Sequence, residues 1–475
     1  MPSSRTARRP RAVAPVAAGA LLAIATTTLL LYANSRLDPD PGRLSKAEED
    51  LARAAYESHE SSSPSLGEKA PRLFAPRALP TRDAVAADSP GTRVPEPRAR
   101  SAIVVSVATG EVLLERNADE SIPPASMTKL VAMYVALDAA RSGEISLDDA
   151  FEPPPDSWAV NLPPRSSLMF LGEGQVVTTR ELLSGMASVS GNDAAIAIAH
   201  LVSGSVTDFV GRMNETVEAL GLVKTRFFEP SGLSERNSTT AREFASFCLA
   251  YLSEFPETLA AFHSLRDFAY PLDRNYPDGR RAATVWQPAT NRMLGTLPGC
   301  DGLKTGYIDE SGYNIALTAT RDGERYLAVI MGGAGADSRE GNRIRTEDGT
   351  AIMDWAFANW TTLALGDVEP VPVTVWGGGS LFAIPAGAGA VTVPSVPSDG
   401  IPPHGGVVDA RVVTDQDLAA PVRAGDVVGC VEYSIDGRVA YRRPLVADRT
   451  IRESSPPVRA LDAIAKALAP LVRYR

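Results

Sequence analysis

The chain is short of lysine, histidine and cysteine, and each shortage removes a class of function. Its 475 residues carry a formal net charge of −10, and no Lys/Arg-rich run offsets it, so nucleic acid is not expected as a partner. Four histidines, His59, His200, His263 and His404, stand without HExxH or any other ligand spacing, so no metal is expected. Cys248, Cys300 and Cys430 are too few and too scattered for a disulfide framework or a zinc site. No G-x-S-x-G elbow occurs, which disfavours a Ser-His-Asp hydrolase. Nothing calls for a cofactor. Lysine is the most telling shortage: of 47 basic residues only six, at positions 46, 69, 129, 224, 304 and 466, are lysine. Arginine has taken over almost everywhere, yet Lys129 and Lys304 lie inside short polar strings. A site that needs a titratable amine cannot use a guanidinium, which does not deprotonate.

Three strings stand out: SMTK at Ser126–Lys129, SGN at Ser190–Asn192 and KTG at Lys304–Gly306. Serine attacks poorly unless a neighbour takes its proton. Ser126 and Lys129 are three apart, so a helix presents both on one face. Pro123-Pro124 would start that helix and place Ser126 at its N-terminal end, where free N–H groups can hold an oxyanion. For Lys129 to act as base, its pKa must fall about three units, and burial beside a second ammonium, Lys304, would push it that way. Ser190-Gly191-Asn192 reads as a tight turn between two helices; Ser190 can relay a proton to a leaving group and Asn192 can grip a substrate amide. KTG reads as strand. Gly306 permits close approach by a substrate added as an extra edge strand, while Lys304 and Thr305 offer a cation and a hydroxyl to a terminal carboxylate.

Along the chain, Arg5, Arg8, Arg9 and Arg11 precede an uncharged stretch from Ala12 to Ser35, which predicts a signal peptide or membrane anchor over residues 1–36. The positive-inside rule then exports the remainder of the chain, to the periplasm or the outer face of the cytoplasmic membrane. Residues 37–97, rich in Pro, Ser and Ala, read as a disordered tether of some 40–45 Å root-mean-square span. A catalytic domain is expected over 98–366: strands at both ends (101–107, 111–117, 313–320, 325–333) with helices between suggest one α/β unit whose terminal strands share a sheet. Thr178-x-x-Glu181 reads as a capping box, Asp322-Gly323 as a hairpin turn, and a closing helix is expected around 350–365. Short Val-rich strands, VTVPSV among them, suggest a small β-rich domain over 367–452. Residues 453–475 read as an amphipathic helix with Val458, Leu461, Ile464, Ala465, Leu468 and Val472 at three- and four-residue spacings on one stripe, suited to a membrane surface or to packing on the β-domain.

The stretches PPASMTKLVAMY, SVSGNDAA, FFEPSGLSERNSTTAREFA and CDGLKTGYIDESGYNIALTATRDG resemble low-molecular-mass penicillin-binding proteins, the D-alanyl-D-alanine carboxypeptidases of peptidase family S11. The resemblance implies a serine β-lactamase/DD-peptidase-like fold, an antiparallel sheet flanked by helices, followed by a small all-β domain and a membrane anchor at the inner-membrane surface. It implies Ser126 as nucleophile, Lys129 as base and Ser190 as proton relay. Asn192, Lys304, Thr305 and Gly306 would bind substrate, Ser126 and Tyr307 N–H groups would form the oxyanion hole, and Arg339 would lie near the carboxylate pocket. Peptidoglycan stem peptides are the implied substrate and β-lactam antibiotics the implied inhibitors. Tyr307 stands where many members have His, and PSGL replaces a PHGL-like string. A D,D-endopeptidase uses the same machinery, and a serine β-lactamase shares the motifs; against the latter, neither Glu229 nor Glu235 begins an E-x-x-L-N string.

Overall fold

The structure, a computed structural model, describes residues 94–365, 368–386, 389–394, 408–415, 417–435 and 438–472. The expected leader or anchor (1–36) and the tether, apart from its last four residues, lie outside them. The described residues divide into two units, one holding 94–364 together with 390–394 and the other holding the remainder.

Apolar side chains at every second position build the first unit around one sheet. Its elements are β1 (Ser101–Ser106), β2 (Val112–Arg116), α1 (Thr128–Arg141), the short pair β3 (Ala150–Phe151) and β4 (Val177–Thr178), α2 (Thr179–Ser188), α3 (Asn192–Ser203), α4 (Val206–Ala219) and α5 (Ala241–Glu254). A second short pair, β5 (Asp267–Tyr270) and β6 (Val285–Pro288), precedes β7 (Cys300–Ile308), β8 (Gly312–Arg321), β9 (Glu324–Gly333) and α6 (Ser338–Asn359). The main sheet runs β2-β1-β9-β8-β7 with every neighbour antiparallel. The expected union of the two ends occurs at β1–β9, where Ala102 opposes Ile330 and Val104 opposes Ala328. Asp322 and Gly323, at φ +51° and +86°, make the β8–β9 turn.

Both faces of the sheet are covered. Ile103, Val105, Leu327, Val329 and Met331 face a core shared with α1–α5, while Ala102, Val104, Ile315, Leu317 and Ile330 pack on Ile352, Met353 and Trp355 of α6. Helix α1 is enclosed almost all round, with Leu130, Val131, Met133, Val135 and Leu137 buried. At about 1.5–3 kcal/mol for each large apolar side chain buried, the segment that begins with the SMTK string is fixed by the core itself. The capping box at the start of α2 is present: Glu181 N–H donates to Thr178 Oγ1 and Thr178 N–H to the Glu181 carboxylate.

Two elements differ from the sequence expectation. The closing helix begins at Ser338, capped by Asp337 accepting from Glu340 N–H at 2.9 Å, and stops at Asn359. Residues 360–364 are instead a strand, β10 (Trp360–Ala364). Its partner is β13 (Ala390–Pro394), the VTVP of the string assigned by sequence to the β-rich domain. Glu324 accepts from Thr362 N–H at 2.6 Å and Glu111 from Thr392 N–H at 2.6 Å, which ties this strand pair to the catalytic unit.

The second unit is a five-stranded antiparallel sheet ordered β11-β12-β16-β15-β14, made of β11 (Val371–Thr374), β12 (Ser380–Pro385), β14 (Val408–Thr414), β15 (Val427–Ile435) and β16 (Arg438–Ala447). Helix α7 (Pro456–Val472) docks on this unit by its polar side: Asp462 accepts from Gly377 N–H at 2.8 Å, Ala465 is buried, and Lys466 pairs with Asp417. Val458, Leu461 and Ile464 face outward. No single helix among the described residues is long and apolar enough to cross a membrane.

Candidate active site

Pro123 and Pro124 lead into a single 3-10 turn, Ala125–Met127, and α1 continues from Thr128. Ala125 is left-handed at φ +51°, so the chain turns sharply before Ser126. One helical turn on, the fully buried Lys129 brings Nζ to 3.1 Å from Ser126 Oγ. The same amine donates to Asn192 Oδ1 at 2.6 Å and to the Ser231 carbonyl at 2.5 Å. Burial pushes the Lys129 ammonium down to about 7, against the opposing pull of Glu229 and Asp193. A neutral amine has two N–H donors and one lone pair. With both donors spent on Asn192 and Ser231, the lone pair is left for the Ser126 hydroxyl proton.

The second string forms the α2–α3 corner. Ser190 takes φ +64° and Asn192 starts α3, both buried. The adjacent Asp193 accepts from the Met169, Phe170 and Leu171 N–H groups at 2.8–3.0 Å, which anchors the 169–171 segment over this corner. Burial pushes the Asp193 carboxyl up and those N–H groups oppose the shift.

The third string lies on β7, the outer strand of the sheet. Gly306 passes so close to the turn before α1 that a Cβ there would stand 2.6 Å from the Pro124 carbonyl and 3.1 Å from Ser126 N. Lys304 is buried, donating to the Thr305 carbonyl at 3.0 Å, and Thr305 Oγ1 meets Thr290 Oγ1 at 2.9 Å. Burial pushes Lys304 well below its ordinary value, and the neighbouring Lys129 and Arg345 push it the same way. Tyr307 is exposed, with its ring 4.4 Å from that of Tyr313 and its hydroxyl donating to Asp309.

Residues 87–335, just over half of the chain, match the Peptidase S11 model, D-alanyl-D-alanine carboxypeptidase. The chain belongs to this family. Residues 405–453 match the C-terminal domain of penicillin-binding protein 5. Among curated relatives, D-alanyl-D-alanine carboxypeptidase DacC of Escherichia coli is 33% identical, over 80% of this chain and 89% of its own. DacF of Bacillus subtilis is 28% identical, over 80% and 92%. Penicillin-binding protein 5 from Haemophilus influenzae superposes with a TM-score of 0.62 at 28% identity, covering 76% of this chain and all of that one. Penicillin-binding protein 6B from Escherichia coli gives 0.58, also at 28%, covering 76% and 98%.

Within this D-alanyl-D-alanine carboxypeptidase fold the structure joins Lys129 to Ser126 and Asn192 and brings Gly306 against Ser126, while Ser190 lies at the α2–α3 corner beside Asn192 and Lys304, Thr305 and Tyr307 flank Gly306 on β7. The ninth site residue picked from sequence, Arg339, belongs to α6. It is exposed in the first turn of α6, whereas Arg345, nearly two turns further, is buried and donates to the Gly306 and Asn314 carbonyls at 3.3 and 3.1 Å. Burial lowers Arg345 to about 10.

Sequence reasoning also missed Glu229, Ser231, Asn314 and Thr290. Asn314 donates to the Pro123 carbonyl at 3.0 Å and accepts from Gly332 N–H at 2.8 Å, locking the turn before Ser126 to the sheet. Both Glu229 oxygens are committed to its own loop, accepting from the Ser231, Gly232 and Ser234 N–H groups. The PSGL segment is therefore part of the surroundings of the Lys129 amine. The signal available in the sequence was the Glu-Pro-Ser-Gly turn itself, whose carboxylate can accept from N–H groups two and three residues on.

Proposed function

We propose that this D-alanyl-D-alanine carboxypeptidase removes the terminal D-alanine of peptidoglycan pentapeptides through a Ser126 acyl-enzyme. The observation that carries the reading is Lys129 Nζ at 3.1 Å from Ser126 Oγ, with its other donors held by Asn192 and Ser231. In the proposed sequence, Lys129 takes the Ser126 proton as Oγ attacks the carbonyl of the penultimate D-alanine. The resulting oxyanion rests on the Ser126 and Tyr307 N–H groups. Collapse breaks the peptide bond, Ser190 passes a proton to the departing amine, and D-alanine leaves. Water then hydrolyses the Ser126 ester with the same groups in reverse. Lys304 and Thr305 receive the substrate carboxylate; a buried amine pushed towards neutrality regains its proton most readily when an anion arrives beside it. Gly306 keeps the β7 edge open for substrate to add as a strand, and Asn192 holds its amide. Arg339, exposed in the first turn of α6, stays in this reading as the cation near the carboxylate pocket, while the buried Arg345 braces the β7 edge through the Gly306 carbonyl.

A β-lactam presents the same acyl carbonyl and would be held as a stable Ser126 ester. Rapid release by a β-lactamase-type base has no support here, since both Glu229 oxygens accept from main-chain donors and Glu235 is exposed. The outward Val458, Leu461 and Ile464 of α7 favour attachment to a membrane surface, and the Arg-flanked apolar N-terminus favours export to the periplasmic face. Two assays test the proposal. A fluorescent penicillin should label the folded protein, with the adduct mapping to Ser126; no label there sinks the mechanism. A pentapeptide should yield D-alanine faster than a cross-linked dimer is cut. The reverse order would make the enzyme an endopeptidase.

A further inference from the structure

The turn that follows α4 holds an acidic side chain that the three strings do not account for. Glu229 gathers five donors: Ser231 N–H at 2.8 Å and Ser231 Oγ at 2.5 Å on one oxygen, and Gly232 N–H at 2.6 Å, Ser234 N–H at 3.2 Å and Asn237 Nδ2 at 3.0 Å on the other. Asn237 also reaches Thr128 Oγ1 at 3.3 Å, on the first residue of the helix that carries Lys129. Gly232, at φ +90°, lies flat against the nucleophile turn; a Cβ there would stand 2.0 Å from the Ala125 carbonyl oxygen. The turn so fixed points one free carbonyl inward, that of Ser231, and it takes a hydrogen bond from Lys129 Nζ.

We infer that Glu229 is a positioning residue for acylation: by clamping the 229–234 turn it aims the Ser231 carbonyl at Lys129, so that one N–H of the amine is held and its lone pair faces Ser126. The inference rests on the acyl-enzyme reading above. A carboxylate suits this post because it accepts only, and all five of its partners donate. Glutamine at this position would turn an NH2 towards two or three of those donors, leaving them unpaired and the turn free to move. Glu229 also acts through its charge. The charged groups around the Lys129 amine are Glu229 and Asp193, which favour its protonated form, and Lys304, whose ammonium would oppose it. Loss of the Glu229 charge therefore extends the range of the free-base amine to lower pH, even as loss of the clamp slows the reaction.

The test is the acylation rate constant of Glu229→Gln and Glu229→Asp with a fluorescent penicillin, measured against pH from 5 to 9. Thermal melts confirm folding. Both variants should acylate about tenfold or more slowly on the plateau, the effect of one lost charged hydrogen bond. In Glu229→Gln the acidic limb should move to lower pH; in Glu229→Asp, which keeps the charge, it should not move. A folded Glu229→Gln with the wild-type plateau and limb overturns the inference. Slower acylation in both variants with both limbs unmoved reduces Glu229 to a structural brace and overturns it equally. Should Glu229→Gln fail to fold, Glu229→Asp decides: a wild-type plateau refutes the clamp and a lowered one with the limb in place supports it. Absence of acylation in the wild type would instead sink the acyl-enzyme reading itself.

Discussion

Acylation should follow the titration of one buried amine, and the structure sets where. Lys129 ordinarily titrates near 10.5, and burial brings it to about 7. At 1.36 kcal/mol per unit, the site disfavours the ammonium by about 5 kcal/mol. Above pH 7 the free base fills and the acylation rate reaches its plateau. Below pH 7 the rate should fall about tenfold per unit, to about 1% of the plateau at pH 5. The same shift has a signature in stability. Between pH 7 and 10.5 the unfolded chain binds a proton at this lysine that the folded chain does not, so stability from this group rises with pH across that window. Comparing urea unfolding of the wild type with Lys129→Met isolates it. The difference should move in favour of the wild type by about 1.4 kcal/mol per pH unit from 7.5 to 9, and should be flat below 6. Stopped-flow acylation that is level from pH 5 to 9, or that inflects near 10, would refute an amine tuned by burial.

Gly306→Ala places a methyl 2.6 Å from the Pro124 carbonyl; we expect about 1–3 kcal/mol lower stability from overpacking and about a hundredfold slower acylation as Ser126 N–H shifts from the oxyanion position. Arg345→Ala leaves the Gly306 and Asn314 carbonyls without their donor and should lower stability in urea by about 1–3 kcal/mol for each. Arg345→Lys should rescue only part of it, because a single ammonium does not match a planar fork. Paired Leu461→Asp and Ile464→Asp substitutions should abolish sedimentation with anionic vesicles while leaving penicillin labelling intact; retained sedimentation would remove α7 as the attachment surface.

The three strings were legible because their chemistry is local. Ser126 and Lys129 need only a helix to meet, Ser190–Asn192 needs only a turn, and a shortage of lysine marks the two that remain. The hidden parts of the site depend on tertiary approach. Arg345 is one of many arginines until α6 is laid against β7 and β8. Glu229 reads as the first residue of a surface turn until Ser231 is seen to reach Lys129. The early part of α6 holds Gly341 and Gly349, residues of low intrinsic helix propensity. Each is a close contact instead: a Cβ at Gly341 would stand 2.0 Å from the Tyr313 ring, and one at Gly349 would stand 3.0 Å from Met293. The misassigned VTVP strand shows a further limit. Alternating valines predict a strand but carry no address, and here β10 and the Glu111 carboxylate claim it.

Helix α1 joins two properties that are usually measured apart. The residues proposed to react with penicillin begin a helix whose body lies inside the main core, so that dyad has no independent scaffold to survive on. Any event that opens that core, whether heat, denaturant or a cavity mutation, should silence Ser126 in the same step. A covalent label would then count intact molecules one for one, and a gel band would become a reading of the folded fraction in a crude extract, where no spectroscopic probe could be used.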